Sequence, residues 1–178
     1  AARDRYGDSC IIVIEPEIRP VEPAFSAAFF NYGLTYNYLI NEFGMGHGWR
    51  LGFSTIETYS AGYEEQKQRL IMRDGTRHNI ESVVGTTVDF ENYTLKDIRL
   101  EKKSNGYSGA VYTLFYKDGT VEYFDAQGRN IAIVDRFGNA ITLEYTYKNA
   151  ASKSAVSQIK ITDTLGNIVI VKEENVAS

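Results

Sequence analysis

Between Phe115 and Tyr147 the chain alternates short aromatic and apolar runs with glycine-bearing turns, and the turns repeat. Asp118-Gly119 is followed by Asp125-Ala126-Gln127-Gly128 and then by Asp135-Arg136-Phe137-Gly138-Asn139. The last form returns as Asp163-Thr164-Leu165-Gly166-Asn167. In the longer turns a carboxylate stands three residues before a glycine. An aspartate can accept hydrogen bonds from backbone N–H groups two residues on, which closes a type I turn. The residue after such a turn needs φ > 0, and glycine adopts it without a Cβ clash. The pattern predicts one hairpin unit used several times.

The rest of the chain fits the same reading. Residues 69–80 (RLIMRDGTRHNI) predict two strands joined at Asp74-Gly75, and residues 113–124 repeat that design around Asp118-Gly119, each turn followed by Thr. Residues 140–147 alternate strictly, with Ile141, Leu143, Tyr145 and Tyr147 on one face and Thr142, Glu144 and Thr146 on the other. Residues 49–59 alternate in the same way, with Trp49, Leu51 and Phe53 against Arg50, Gly52 and Ser54. Residues 10–14 (CIIVI) predict a short strand, 24–41 one or two strands, and 157–162 with 167–172 a final hairpin around Gly166. Residues 92–103 fit helical and strand spacing alike, and their neighbours favour strand. Loops are expected at 42–48, 61–68 and 148–154, a polar linker at 82–89 and a loose connector at 104–109. An aromatic share of 13% leans the same way.

The expected fold is therefore all-β, antiparallel hairpins in a meander forming a curved sheet. Three parts are expected. Residues 1–23, with prolines at 16, 20 and 23, form an extended or edge segment; residues 24–172 form the β-domain; residues 173–178 are a tail. Ile168 to Val171 are apolar on both faces, and an open strand there would be a template for another chain. That edge is expected to be covered by the Pro-rich segment or by a second copy.

A net charge of −4 and a pI near 5.3 argue against nucleic acid as partner. No run approaches the roughly 20 apolar residues of a membrane helix. Cys10 is the one cysteine, so no internal disulfide forms, which fits a reducing cytosol and many secreted proteins alike. Ala1 to Arg5 are not a signal peptide, since no apolar stretch follows directly. Both ends read as cut from something longer.

Candidate chemistry is sparse. Gly44-Met45-Gly46-His47-Gly48 lacks the Lys-Ser/Thr ending of a phosphate loop and reads as a turn. His47, His78 and Cys10 fall short of a zinc set in spacing. Asp118, Asp125, Asp135 and Asp163 each bring one carboxylate to a turn, where calcium wants several from one loop; turn-capping is the expected role. Nothing selects a pair of carboxylates for glycoside hydrolysis. No cofactor or metal is expected, and no enzymatic activity. Trp49 with several tyrosines could stack on sugar rings, so a cell-wall glycan is the rival partner.

Tyr123-Phe124-Asp125-Ala126-Gln127-Gly128-Arg129, Asp135-Arg136-Phe137-Gly138-Asn139 and Tyr145-Thr146-Tyr147 together resemble the YD repeat of RHS-type proteins, with Tyr-Phe-Asp in place of Tyr-Asp. Leu34-Thr35-Tyr36-Asn37 and Gly46-His47-Gly48-Trp49-Arg50-Leu51 resemble the head segment that precedes those repeats. The resemblance implies a β-ribbon wound into a hollow shell, in a secreted or cell-surface bacterial protein associated with the cell wall or with toxin delivery. It implies a structural role, with other repeats or an effector domain of the same polypeptide as partners. The Asp-Pro-x-Gly element of the self-cleaving members does not occur here, so that activity does not carry over.

Overall fold

The structure, a computed structural model, describes residues 2–3, 9–17, 35–37, 48–60, 66–151 and 155–175. Among them every regular element is a β-strand: β1 (Ala2–Arg3), β2 (Ser9–Glu17), β3 (Thr35–Asn37), β4 (Gly48–Arg50) and β5 (Thr55–Ser60); then β6 (Gln66–Ile71), β7 (Arg77–Val84), β8 (Thr87–Phe90), β9 (Ile98–Glu101) and β10 (Tyr112–Tyr116); and last β11 (Val121–Phe124), β12 (Asn130–Val134), β13 (Ala140–Tyr147), β14 (Val156–Thr162) and β15 (Ile168–Asn175). The paired strands run antiparallel, and the chain divides into two compact units: residues 53–141, and residues 1–52 with 142–178.

Five hairpin turns share one frame. They are Met72-Arg73-Asp74-Gly75, Tyr116-Lys117-Asp118-Gly119, Asp125–Gly128, Asp135–Gly138 and Asp163–Gly166. In each, the fourth residue is a glycine with φ between 74 and 91°, and its N–H donates to the carbonyl of the first residue. The N–H of the first residue donates to the carbonyl of the fifth, at 2.8–3.0 Å. This is a type I turn followed by a left-handed glycine, a geometry whose twist suits a hairpin. The Asp-Gly pairs were expected to join their strands directly, but they are the second half of this same four-residue turn.

In the unit of residues 53–141, β5 to β12 follow one another as a meander in which each strand from β5 to β11 pairs with the next. Alternate residues of β5 to β11 meet in one core: Ile56, Leu70, Ile80, Val88, Phe90, Leu100, Tyr112, Leu114 and Phe124. Leu70, Leu100, Leu114 and Phe124 are fully buried. The meander then returns on itself. The N–H of Ile56 in β5 donates to the carbonyl of Gly128 at 2.8 Å, and Thr55 forms an antiparallel bridge with Arg129. The first strand of the unit is thus held against the β11–β12 turn, along a seam.

In the other unit, β13, β14, β15 and β2 pair in that order, and β1 adds a short pairing at Ser9 and Cys10. Leu143, Ile159, Ile161 and Val171 are buried and share a face by register. Ser9–Glu17 covers β15 along its length, from Ile168 opposite Glu17 to Asn175 opposite Cys10. The predicted cover of the final strand by the Pro-rich segment is therefore present. Pro16 stands opposite Val169. β3 lies against β4, with Tyr36 opposite Trp49.

Several expectations need correction. The linker predicted at 82–89 is a hairpin, with Val84 paired to Thr87 around Gly85-Thr86 and Gly85 at φ 64°. β-branched residues outweigh the polar composition there. The run 49–59 breaks into β4 and β5, and the loop expected at 61–68 yields to β6 from Gln66. In 92–103 only Ile98–Glu101 is strand, because Asn92 and Lys96 take φ of 55° and 54° and the Tyr93 hydroxyl accepts the N–H groups of Asp97 and Ile98. The connector at 104–109 is ordered rather than loose: Tyr107 stacks on Tyr123 at 4.3 Å, and Gly109 has φ 80°. The expected tail begins as strand, since β15 runs to Asn175. Within the N-terminal segment, β2 pairs with β15. The strands expected in 24–34 and the glycine-rich loop at 42–47 lie outside the described residues.

Candidate functional site

The sequence-selected residues lie in the turns, and their geometry explains their type. In Asp125, Asp135 and Asp163, Oδ1 accepts two N–H bonds: from Gln127 and Arg129, from Phe137 and Asn139, and from Leu165 and Asn167. Asp74 and Asp118 occupy the third turn position instead, and their Oδ1 accepts from Thr76 and Thr120. Both arrangements cap the same group, the N–H of the fifth residue. Asn139 and Asn167 add a bond from Nδ2 to Oδ2 at 2.8 Å. The Asn139 side chain and the surrounding N–H groups hold the Asp135 carboxyl below its ordinary value, and the Thr120 N–H does the same for Asp118. These carboxylates are occupied by their own backbone. Among the described residues, no group of three or more His, Cys, Asp or Glu is placed to hold a metal ion.

Of the other candidates, His78 on β7 packs against Phe90 and Tyr93, with ring centroids 5.5 and 5.1 Å away. That surrounding is aromatic. Trp49 lies in β4 and Cys10 in β2, both described in backbone alone, and His47 lies outside the described residues. No helix among the described residues is long and apolar enough to cross a membrane.

One polar cluster was not picked out from the sequence. Glu122 on β11 is fully buried, as are Ser54 and Asn130. The Tyr116 hydroxyl donates to Glu122 Oε1 at 2.9 Å, and Asn130 Nδ2 donates to Oε2 at 2.9 Å. Ser54 Oγ lies 3.5 Å from the Tyr116 hydroxyl and also bonds the carboxyl. The Arg73 guanidinium lies over the Tyr116 ring, 5.3 Å from its centroid. Burial raises the Glu122 carboxyl above its ordinary value, against the opposing hydrogen bonds and the charge of Arg73. Burial, and then the neighbouring carboxyl, raise the Tyr116 hydroxyl as well. A signal existed in the alternation. Glu122 shares a face with Phe124 and stands opposite Leu114, so a carboxylate falls in a core-phase position.

Two features therefore stand out: a set of self-capped turns, and a buried carboxyl that ties β10, β11, β12 and the start of β5 together. No protein-family model, no curated protein and no solved structure matches the chain.

Proposed function

We propose that this chain is a non-catalytic structural segment of a secreted or cell-surface protein of the RHS/YD-repeat type. It builds part of a wall that encloses or presents an effector domain of the same polypeptide. The observation that carries this reading is the single turn frame used five times, with an aspartate capping the fifth-residue amide in every case. Residues of this kind shape and extend a ribbon, and their carboxylates are engaged by the backbone of their own turns. The two segments that resemble the RHS head also lie side by side, as β3 and β4.

Three of the described tyrosines support this reading over a glycan-binding one. Tyr112 is buried, Tyr116 packs against the core, and Tyr123 lies under Tyr107. Those faces are already occupied by protein. The test is incubation of purified protein with glycoside, ester and peptide reporters, alongside co-sedimentation with purified cell-wall glycan. Neither turnover nor co-sedimentation is expected. Turnover abolished by one substitution, or saturable sedimentation lost on Trp49→Ala, would contradict the proposal.

A further inference from the structure

A carboxylate in the interior costs free energy that an apolar residue at the same place would not. Glu122 nonetheless stands on the inward face of β11, opposite Leu114 and two residues from Phe124. Its partners come from the elements that meet at the seam. Asn130 is the neighbour of Arg129, and Ser54 is the neighbour of Thr55; Thr55 and Arg129 form the bridge between β5 and the β11–β12 turn. The carboxyl thus links the two chain positions flanking that bridge. Tyr116 reaches it from β10. The charged group acting on it is Arg73, from the β6–β7 turn, which also acts on Asp118 in the β10–β11 turn.

The geometry points to Glu122 as a proton-operated latch on this seam. With the carboxyl neutral, its own proton is shared with the Tyr116 hydroxyl across the 2.9 Å contact, Asn130 Nδ2 still donates to the other oxygen, no net charge is buried, and β5 is held on the β11–β12 turn. When the proton leaves for solvent, the buried carboxylate gains a charge that Arg73 offsets from a distance, and the network opens to water. The seam then loosens while the rest of the meander keeps its pairing, because Thr55 and Arg129 form a single isolated bridge whereas neighbours such as β5–β6 and β10–β11 pair over four to six residues.

The sign follows from burial. A carboxyl that holds its proton more tightly in the fold stabilises the fold below its unfolded value, near 4.5 for glutamate. That contribution is lost as pH rises through the folded value. The seam is therefore tightest in acid and loosens towards higher pH. Asp118 and Asp135 act in the opposite direction, so a global unfolding curve mixes the two trends and a local probe is needed.

Hydrogen exchange by NMR supplies it. The Ile56 amide, whose acceptor is Gly128 O, reads the seam, and the Leu114 amide on β10 serves as reference. After correction for intrinsic exchange, the protection of Ile56 relative to Leu114 should fall with rising pH, by up to about tenfold per pH unit, the limit for one proton. Glu122→Gln keeps the neutral shape and should make the ratio flat. Tyr116→Phe removes a donor to the ionised form and should move the midpoint to higher pH. A pH-independent ratio in the wild-type protein, or an unchanged profile in Glu122→Gln, would overturn the latch. Should Glu122→Gln fail to fold, an unmoved midpoint in Tyr116→Phe overturns it equally.

Discussion

The carbonyl of Gly128 accepts the N–H of Ile56 at 2.8 Å, and a Cβ on Gly128 would stand 1.9 Å from the carbonyl oxygen of Ile56. β5 and the β11–β12 turn meet where the side chain is missing. Glycine is required here twice over, once for its φ of 74° and once for the close approach of β5. Gly138 has the same left-handed conformation, but a Cβ there meets nothing within 4 Å. Gly138→Ala should therefore cost only the backbone term, about 1–2 kcal/mol. Gly128→Ala should cost clearly more and expose the Ile56 amide to exchange. Equal urea midpoints for the two variants would mean that β5 is not seated on this turn.

The turn caps make a prediction in acid. A carboxyl held below its ordinary value stabilises the fold above that value, 3.8 for aspartate, and the contribution is lost as pH falls through the folded value. Asp135→Ala should lower the urea midpoint at neutral pH, since Phe137, Asn139 N–H and Asn139 Nδ2 lose their acceptor. At a pH well below 3.8 the variant and the parent should converge. A deficit of the same size at both pH values would show that capping is not how the carboxylate acts.

Buried and exposed aromatics should behave differently. Phe124 is fully buried in the core, while Phe137 is 74% exposed at a turn tip. Phe124→Ala should cost about 3–5 kcal/mol, and Phe137→Ser less than about 0.5 kcal/mol. Thermal unfolding of the two variants measures this. A large effect at Phe137 would place that ring against something it does not touch in this fold.

Strand content should dominate the far-UV circular dichroism spectrum. No helix occurs among the described residues, so a strong helical double minimum would contradict the architecture.

How much of this was legible depended on whether the physics was local. The Asp-x-x-Gly turns were readable because one side chain caps its own backbone and one glycine takes φ > 0, all within five residues. The clean alternation at 140–147 was readable because one face is dry, with Leu143 buried and Glu144 and Thr146 exposed. The hairpin at Gly85 was not, because it carries no Asp or Asn at the turn and its strands are largely exposed there. The connector around Gly109 was misread as loose because its order comes from Tyr107 stacking on a residue 16 positions away, Tyr123. The phase of Glu122 with Phe124 was readable, but its full set of partners was not: Tyr116 and Asn130 reach it from the neighbouring strands, and Ser54 arrives only when the meander returns on itself.

The proposal that these hairpins form part of a shell wall is tested most directly by cryo-electron microscopy of the natural gene product. The account predicts a hollow β-shell in which the hairpins of residues 66–172 run within the wall and neighbouring ribbon pairs alongside them. Density showing these hairpins as a separate bead on a linker, or seated around a bound substrate, would contradict it.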